Sequence, residues 1–501
     1  MKRKRPGTLL ITLDENNEAQ ASLVLRLRDR IQGLIWEGAI SDGERLPSTR
    51  ALARDLGISR ETVEAAYQQL DSEGFVVRRT GSGTFASRAH KIAIDDRKLP
   101  QKSSDDKTTE GYKPAGPIAV RGTDIIRSGG IVDQSDVHPF VAAMPDVETF
   151  PIDVWQQLTS RTLRNHSRKL LMYGDAQGYE PLRIEIWKYL TANRGIRCDP
   201  DQILVLSSSQ QALTLIGIVL INPGDIVAVE NPGYHGAKLA LLAADAYLKP
   251  VSVDADGIVV ENIEDTRGPV RAVYVTPSHQ YPTGVTLSLE RRIELLKWAA
   301  STRGWIIEDD YDSEYRYDSR PLPSIQGLDQ NGNVLYLGTF NKVLFPSLRI
   351  AYLVLPRPLV RHFVAARTLL DGQSPVITQA VLQAFMFEGH FTAHIRQMRE
   401  LYHGRRDLFS RSLATHLSRF VHAVTPPGGL SVACYLKDGL NEKRTIDIAR
   451  SIGIELPSLR RLYLGNEGRD GWLLGFAALA PEVAANAMQR LASILPQLDK
   501  I

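Results

Sequence analysis

The sequence predicts a multidomain protein: a winged helix-turn-helix head, α with a small β wing, followed by a larger α/β body with a small C-terminal α/β subdomain. Three observations predict it. At 501 residues the chain exceeds what one ordinary core organises. Residues 46–85 read as two short capped helices followed by two strands around a glycine turn. Beyond residue 137, short β-branched runs alternate with helical stretches, the pattern of a doubly wound, mostly parallel sheet.

Composition narrows the class. With 43% hydrophobic and 23% charged residues the chain is globular in character. A net charge of +3 is too small to argue for nucleic acid unless Lys and Arg are locally concentrated. Cys198 and Cys434 lie far apart without metal-type spacing, which points to a reducing compartment and to neither a disulfide framework nor a zinc site. The apolar run 7–13 is too short for a signal core, and no segment reaches membrane-span length. A cytoplasmic protein with no membrane partner is expected.

Residues 1–19 form an N-terminal arm that opens with Met-Lys-Arg-Lys-Arg-Pro, either solvated or touching phosphates. The head is expected at 20–87. Leu23, Leu25, Leu27, Ile31 and Ile35 recur near helical spacing over 21–36. A second helix starts at a Ser or Thr cap, runs through Leu52, Ala53 and Leu56, and ends at Gly57; Ser59 caps a third, with Val63, Tyr67 and Leu70 on its core face. In a helix-turn-helix the N-terminal residues of the second helix of the motif meet base edges, so Ser59, Arg60 and Thr62 are the expected readers, with Arg50 within reach of phosphate or guanine. The same pattern is also a plain three-helix packing unit. A basic hairpin follows it, however, and Arg79, Thr80 and Gly81 form the tip of a wing able to enter the minor groove.

From 88 to 133 periodicity is lost among Lys, Asp, Ser, Thr, Pro and Gly, as in a linker. The body, 134–501, is organised around Lys342. An apolar run ends in Gly338-Thr339, the lysine follows, and Arg349 comes seven residues later. A partly desolvated lysine, an arginine for a phosphate dianion and the Thr339 hydroxyl suit a Schiff base with an aldehyde cofactor. Taken alone, the segment also fits a surface lysine after a turn. Upstream, the strand-like Trp305-Ile-Ile-Glu-Asp-Asp310 delivers Asp309 and Tyr311 at its end: an anion to keep a pyridinium nitrogen protonated and a donor for the adjacent ring oxygen. Such an acidic run also fits a solvated loop or a hard-metal site. Ser208, Ser209 and Gln210 open a helix after a strand, where backbone N–H groups bind phosphate. Tyr234 follows a Pro-Gly turn and offers a flat face to a ring. His279 reads either as a base or as a loop histidine held by backbone hydrogen bonds.

These motifs together carry a resemblance. Residues from about 134 onward resemble a fold-type I aminotransferase dependent on pyridoxal 5′-phosphate (PLP), and residues from about 20 to 87 resemble a GntR-type winged helix. In this order the chain is similar to the MocR subfamily of bacterial transcription regulators. The resemblance implies an internal aldimine at Lys342, Asp309 on the ring nitrogen, Tyr311 on the ring oxygen and Arg349 as phosphate counter-ion. Tyr173, in a Tyr-x-x-x-x-Gly-x-x-x-Leu-Arg pattern, then reaches the neighbouring subunit's cofactor in a homodimer; a buried structural tyrosine is its alternative. Four positions depart from aminotransferases or family members: Ser208 stands for Gly, Asn341 for Ser, Tyr281 for an Asn that bonds the ring oxygen, and Leu473 for a carboxylate-binding Arg. Gly236 stands where the GABA-responsive member has an arginine. The function expected is a PLP-dependent, nucleoid-associated regulator that senses PLP or a small amine and sets two heads on paired half-sites of an operator. The alternative is a working aminotransferase, or another PLP enzyme, with an appended head.

Overall fold

The computed structural model describes residues 22–87, 116–127, 130, 137–318, 323–465 and 468–500. The N-terminal arm and most of the expected linker lie outside them. The chain divides into two compact units between Lys113 and Pro114.

In the head, α1 (Leu23–Trp36), α2 (Thr49–Leu56) and α3 (Arg60–Ser72) enclose a core of Leu27, Ile31, Ile35, Leu52, Val63, Tyr67 and Leu70. Caps set the helix ends. Ser48 accepts from the Ala51 N–H at 3.2 Å and Ser59 from the Thr62 N–H at 3.0 Å. Gly57 closes α2 at φ +67, which a side chain would strain. β1 (Val76–Arg79) and β2 (Gly83–Ala86) pair antiparallel around a Thr80-Gly81-Ser82 tip.

The second unit begins with a difference from expectation. Residues Val120–Arg127, placed in the linker by the sequence reading, form a helix, α4. It contains Gly122 and presents exposed Val120 and Ile125, so no buried apolar stripe marked it.

The body's main sheet contains β3 (Ile203–Leu206), β4 (Ile226–Asn231), β5 (Tyr247–Asp254), β6 (Gly257–Ile258), β7 (Val270–Val275), β8 (Trp305–Asp310), β9 (Val334–Thr339) and β10 (Ala351–Val354). Their order is β3-β10-β9-β8-β7-β4-β5-β6. β5, β4, β7, β8 and β9 run parallel; β10 is antiparallel to both neighbours, and β6 to β5. Helices α5 (Ile152–Leu170), α6 (Glu180–Arg194), α7 (Ser209–Leu220), α8 (His235–Ala243), α9 (Leu289–Thr302), α10 (Ile325–Leu328), α11 (Val360–Leu370), α12 (Val376–Phe387) and α13 (His390–His416) accompany it. Strand alternation sorts the faces: Val227 and Val229 pack with α7 and α8, whereas Ala228 packs with Leu295 and Trp298 of α9. Both faces are covered, so the strands read as continuous apolar runs.

The smaller subdomain holds an antiparallel sheet of β11 (Val421–Ala423), β12 (Ser431–Leu436) and β13 (Gly471–Gly475), with α14 (Glu442–Ser451) and α15 (Pro481–Ile494). The start of the body returns to it: the Gly475 N–H donates to Phe140 O at 3.1 Å. A Cβ at Gly475 would lie 1.8 Å from Val141 O, so only glycine permits this approach. β11 was not foreseen because three residues show no alternation.

Candidate cofactor site and nucleic-acid interface

In the head, Arg50, Ser59, Arg60, Arg79, Thr80 and Gly81 are exposed and Thr62 is half-buried. The Ser59 and Thr62 hydroxyls lie 2.9 Å apart, so part of their hydrogen-bonding capacity is spent on the cap. Arg78, beside the wing candidates, pairs with Glu64 of α3 and ties wing to helix. The Arg79 guanidinium lies over the Phe85 ring, 5.2 Å from its centre.

In the body, the C-terminal ends of β3, β4, β7, β8 and β9 lie along one edge of the sheet. The loops leaving them bring together Ser208 to Gln210, Tyr234, the 276–285 segment, Asp309 to Asp312, and Lys342. Asp309 is 3% exposed. Its Oδ2 accepts from the Tyr274 hydroxyl at 2.7 Å, while Oδ1 is buried without a hydrogen-bond partner. Burial pushes this carboxyl up to about 7, with the Tyr274 hydrogen bond opposing and Asp310 and Asp312 reinforcing the rise. A buried carboxylate oxygen without a donor is costly, and a cationic N–H placed at Oδ1 removes the cost. A pyridinium nitrogen meets that requirement.

Tyr311 donates to His279 O at 3.0 Å. Tyr281 stands edge-on between Tyr234 and Tyr311, 5.9 Å from each ring centre. Burial pushes the Tyr281 phenol up to about 12, so it stays a neutral donor. The Gln210 Nε2 donates to Gly236 O at 3.1 Å, and its Oε1 is buried without a partner. A Cβ at Gly236 would lie 2.5 Å from the Tyr234 ring and 2.7 Å from that Oε1, so a larger residue requires this wall to move.

Ser208 caps α7, accepting from the Gln211 N–H at 3.1 Å, and Ser209 and Gln210 form its first turn. Lys342 is half-buried, and its ammonium draws down the Asp312 carboxyl, which burial otherwise raises. Arg349 is exposed and adopts a left-handed φ of +54. Thr339 differs from expectation. Its hydroxyl accepts from the Asn341 N–H at 3.1 Å and lies 3.5 Å from Ile350 O, so it is engaged within the loop. Asn341 completes that brace by accepting from the Ile350 N–H at 3.0 Å. Tyr173 is 95% exposed, which excludes the buried structural role.

Sequence reasoning missed Tyr274, which looked like one more apolar strand position. It also missed the ion pair of Arg194 with Asp310, whose Oδ2 is shared with the Tyr336 hydroxyl. Glu230 was missed too. It accepts from Thr276 Oγ1 at 2.7 Å and Gln280 Nε2 at 3.2 Å, joining the loops after β4 and β7. His279 is held by Tyr311 and Asp312 side chains, where backbone hydrogen bonds were expected. Among the described residues no cluster of His, Cys, Asp or Glu could hold a metal ion.

Comparison with known proteins places both units. The family "Bacterial regulatory proteins, gntR family" matches residues 23–86, and "Aminotransferase class I and II" matches 143–433. The probable rhizopine catabolism regulatory protein MocR of Rhizobium meliloti is 33% identical over 98% of this chain and 97% of its own length. The chain belongs to the MocR subfamily of GntR-type transcription regulators. Another MocR-like relative, the pyridoxine biosynthesis transcriptional regulator PdxR of Corynebacterium glutamicum, is 30% identical over 92% of this chain and 94% of its own. The body also matches the solved kynurenine aminotransferase of Pyrococcus horikoshii in complex with PMP, at 30% identity and a TM-score of 0.68, over 76% of this chain and 95% of that one. The cofactor of this MocR-type body is PLP, and the unpaired Asp309 Oδ1 fits its ring nitrogen.

Proposed function

We propose that this regulator senses PLP itself or a small primary amine at Lys342 and transmits the result to its DNA-binding head. The observation that carries the reading is the pairing, in one chain, of an exposed recognition-helix end with a buried Asp309 oxygen lacking a donor. When bound, PLP supplies an aldehyde for which Lys342 and a small amine compete. Asp309 keeps the proton on the ring nitrogen, and Tyr311 donates at the ring oxygen. Arg349 and the α7 N-terminus, from Ser208 to Gln210, hold the phosphate, while Thr339 serves by shaping the loop that carries Lys342. Tyr234 and Tyr281 wall the ring. Release of Lys342 places an ammonium beside Asp312, a charge change at the sheet edge that requires different affinity in two conformations to move the body.

On this reading the protein works as a homodimer, each Tyr173 completing the partner's phosphate site and two heads reading paired half-sites with Arg50, Ser59, Arg60, Thr62 and the Arg79-Thr80-Gly81 tip. The functional divisions are the arm 1–19, the head 20–87, the linker 88–133 and the body 134–501, and the protein resides in the cytoplasm on the nucleoid. Among the described residues no helix is long and apolar enough to cross a membrane.

The match to an aminotransferase over 95% of that chain favours a second reading, a working enzyme. Against it, Leu473 is buried with Ala433, Leu459 and Leu462 and has Tyr281 packed alongside, an apolar cluster with no means of gripping a carboxylate. Borohydride reduction of the PLP-loaded protein followed by mass spectrometry should label Lys342, and a small amine should change operator binding. Accumulation of pyridoxamine phosphate with release of a keto acid would overturn the sensor-only reading.

A further inference from the structure

His279 is 8% exposed and lies beneath the loop that leads into β12. A Cβ at Gly429 would fall 2.0 Å from its Cε1, and one at Gly284 would fall 3.1 Å from its Nε2, so two glycines shape the ring's slot. The covering loop is itself fixed: the Gly429 N–H donates to Tyr315 O at 2.8 Å, and the Tyr317 hydroxyl donates to Gly429 O at 2.7 Å. Within this slot His279 Nδ1 is 3.2 Å from Asp312 Oδ2 and 3.2 Å from the Tyr311 hydroxyl.

A carboxylate only accepts, so an ionised Asp312 requires the proton on Nδ1. The charged and titratable groups around the ring are Asp312 and Tyr311, Arg316 beyond them, Arg194 from α6 and Arg292 from α9, with Lys342 acting on Asp312. Three guanidiniums favour an ionised Asp312 and a neutral imidazole. His279 Nε2 is buried without a partner beside a cavity of about 10 Å³, room for about one water.

We propose that His279, oriented by Asp312, is a positioning residue for the cofactor: its Nδ1–H bonds the Tyr311 oxygen and leaves the phenol's single proton for the ligand's ring oxygen. The proposal rests on the assignment of Tyr311 made above. A phenol that accepts one hydrogen bond becomes the stronger donor in the next. Donation to the ring oxygen favours its anionic form, and weakening that donation raises the pH midpoint of the bound cofactor's visible absorbance.

The test is a pH titration of that absorbance in the PLP-loaded full-length protein. His279→Gln and Asp312→Asn should each raise the midpoint by about half to one pH unit, and Tyr311→Phe should raise it by more. The double variant His279→Gln/Tyr311→Phe should match Tyr311→Phe alone. If the His279 and Asp312 variants keep the original midpoint while Tyr311→Phe moves it, the role of His279 is overturned and that of Tyr311 stands. Additive shifts in the double variant would also overturn it, because His279 would then act independently of Tyr311. No shift in Tyr311→Phe overturns both assignments.

Discussion

Asp309 is the residue on which the body's electrostatics turn. Its folded carboxyl sits near 7, above the ordinary aspartate value of 3.8, chiefly through burial. Between those values the folded state binds the extra proton. The contribution of Asp309 to stability is therefore present below the ordinary carboxylate range and is lost as pH rises through about 7. Cofactor-free protein should unfold at a lower temperature at pH 8 than at pH 6, and Asp309→Asn should reduce that difference by on the order of a few kcal/mol. The same variant should retain PLP at least about 100-fold less well, since it presents an amide where the ring nitrogen needs an anion; unchanged retention would show that Asp309 does not hold that nitrogen. Lys342→Ala should abolish the imine absorbance and the borohydride label, while the head's operator affinity in the absence of amine persists. A label elsewhere would move the assignment.

At the level of elements, recognition is a matter of helix ends. The Ser59 oxygen takes the Thr62 N–H that an uncapped α3 would leave unpaired. Ser59→Ala should cost about 1 kcal/mol of head stability, read from chemical denaturation of the full chain. Arg60 stands one residue later, exposed at the start of α3. Arg60→Ala should weaken operator binding by about 1–3 kcal/mol in a mobility-shift titration and leave the cofactor spectrum unchanged. Equal loss of both signals would mean that the two units are not separable. These helices were legible because capping and apolar spacing are written within a few residues. α4 was not, since an exposed glycine-containing turn of helix carries no such spacing.

For the whole molecule, Leu171, Met172 and Tyr173 stand together at 74%, 65% and 95% exposure, an apolar run beside the sequence that enters α6. Such a surface is what a dimer contact covers. Sedimentation should give a particle of two chains, and Leu171→Asp combined with Met172→Asp should yield single chains. Those chains should lose the roughly 10²–10⁴-fold advantage of engaging two half-sites together. A double variant that stayed dimeric with full affinity would place the contact elsewhere.

The sequence by itself determined the order of the two units, the caps of the head, the doubly wound character of the body and the chemical groups near Lys342, because each depends on spacing within one element or on residue type. Only the tertiary structure decided how those groups are spent. Asp309 has one oxygen satisfied by Tyr274 from a neighbouring strand and the other left open. Thr339 is consumed by its own loop, and His279 is locked by a glycine pair brought from the distant β12 loop. Burial and hydrogen-bond satisfaction are properties of what packs around a group, and residues remote in the chain supply that packing.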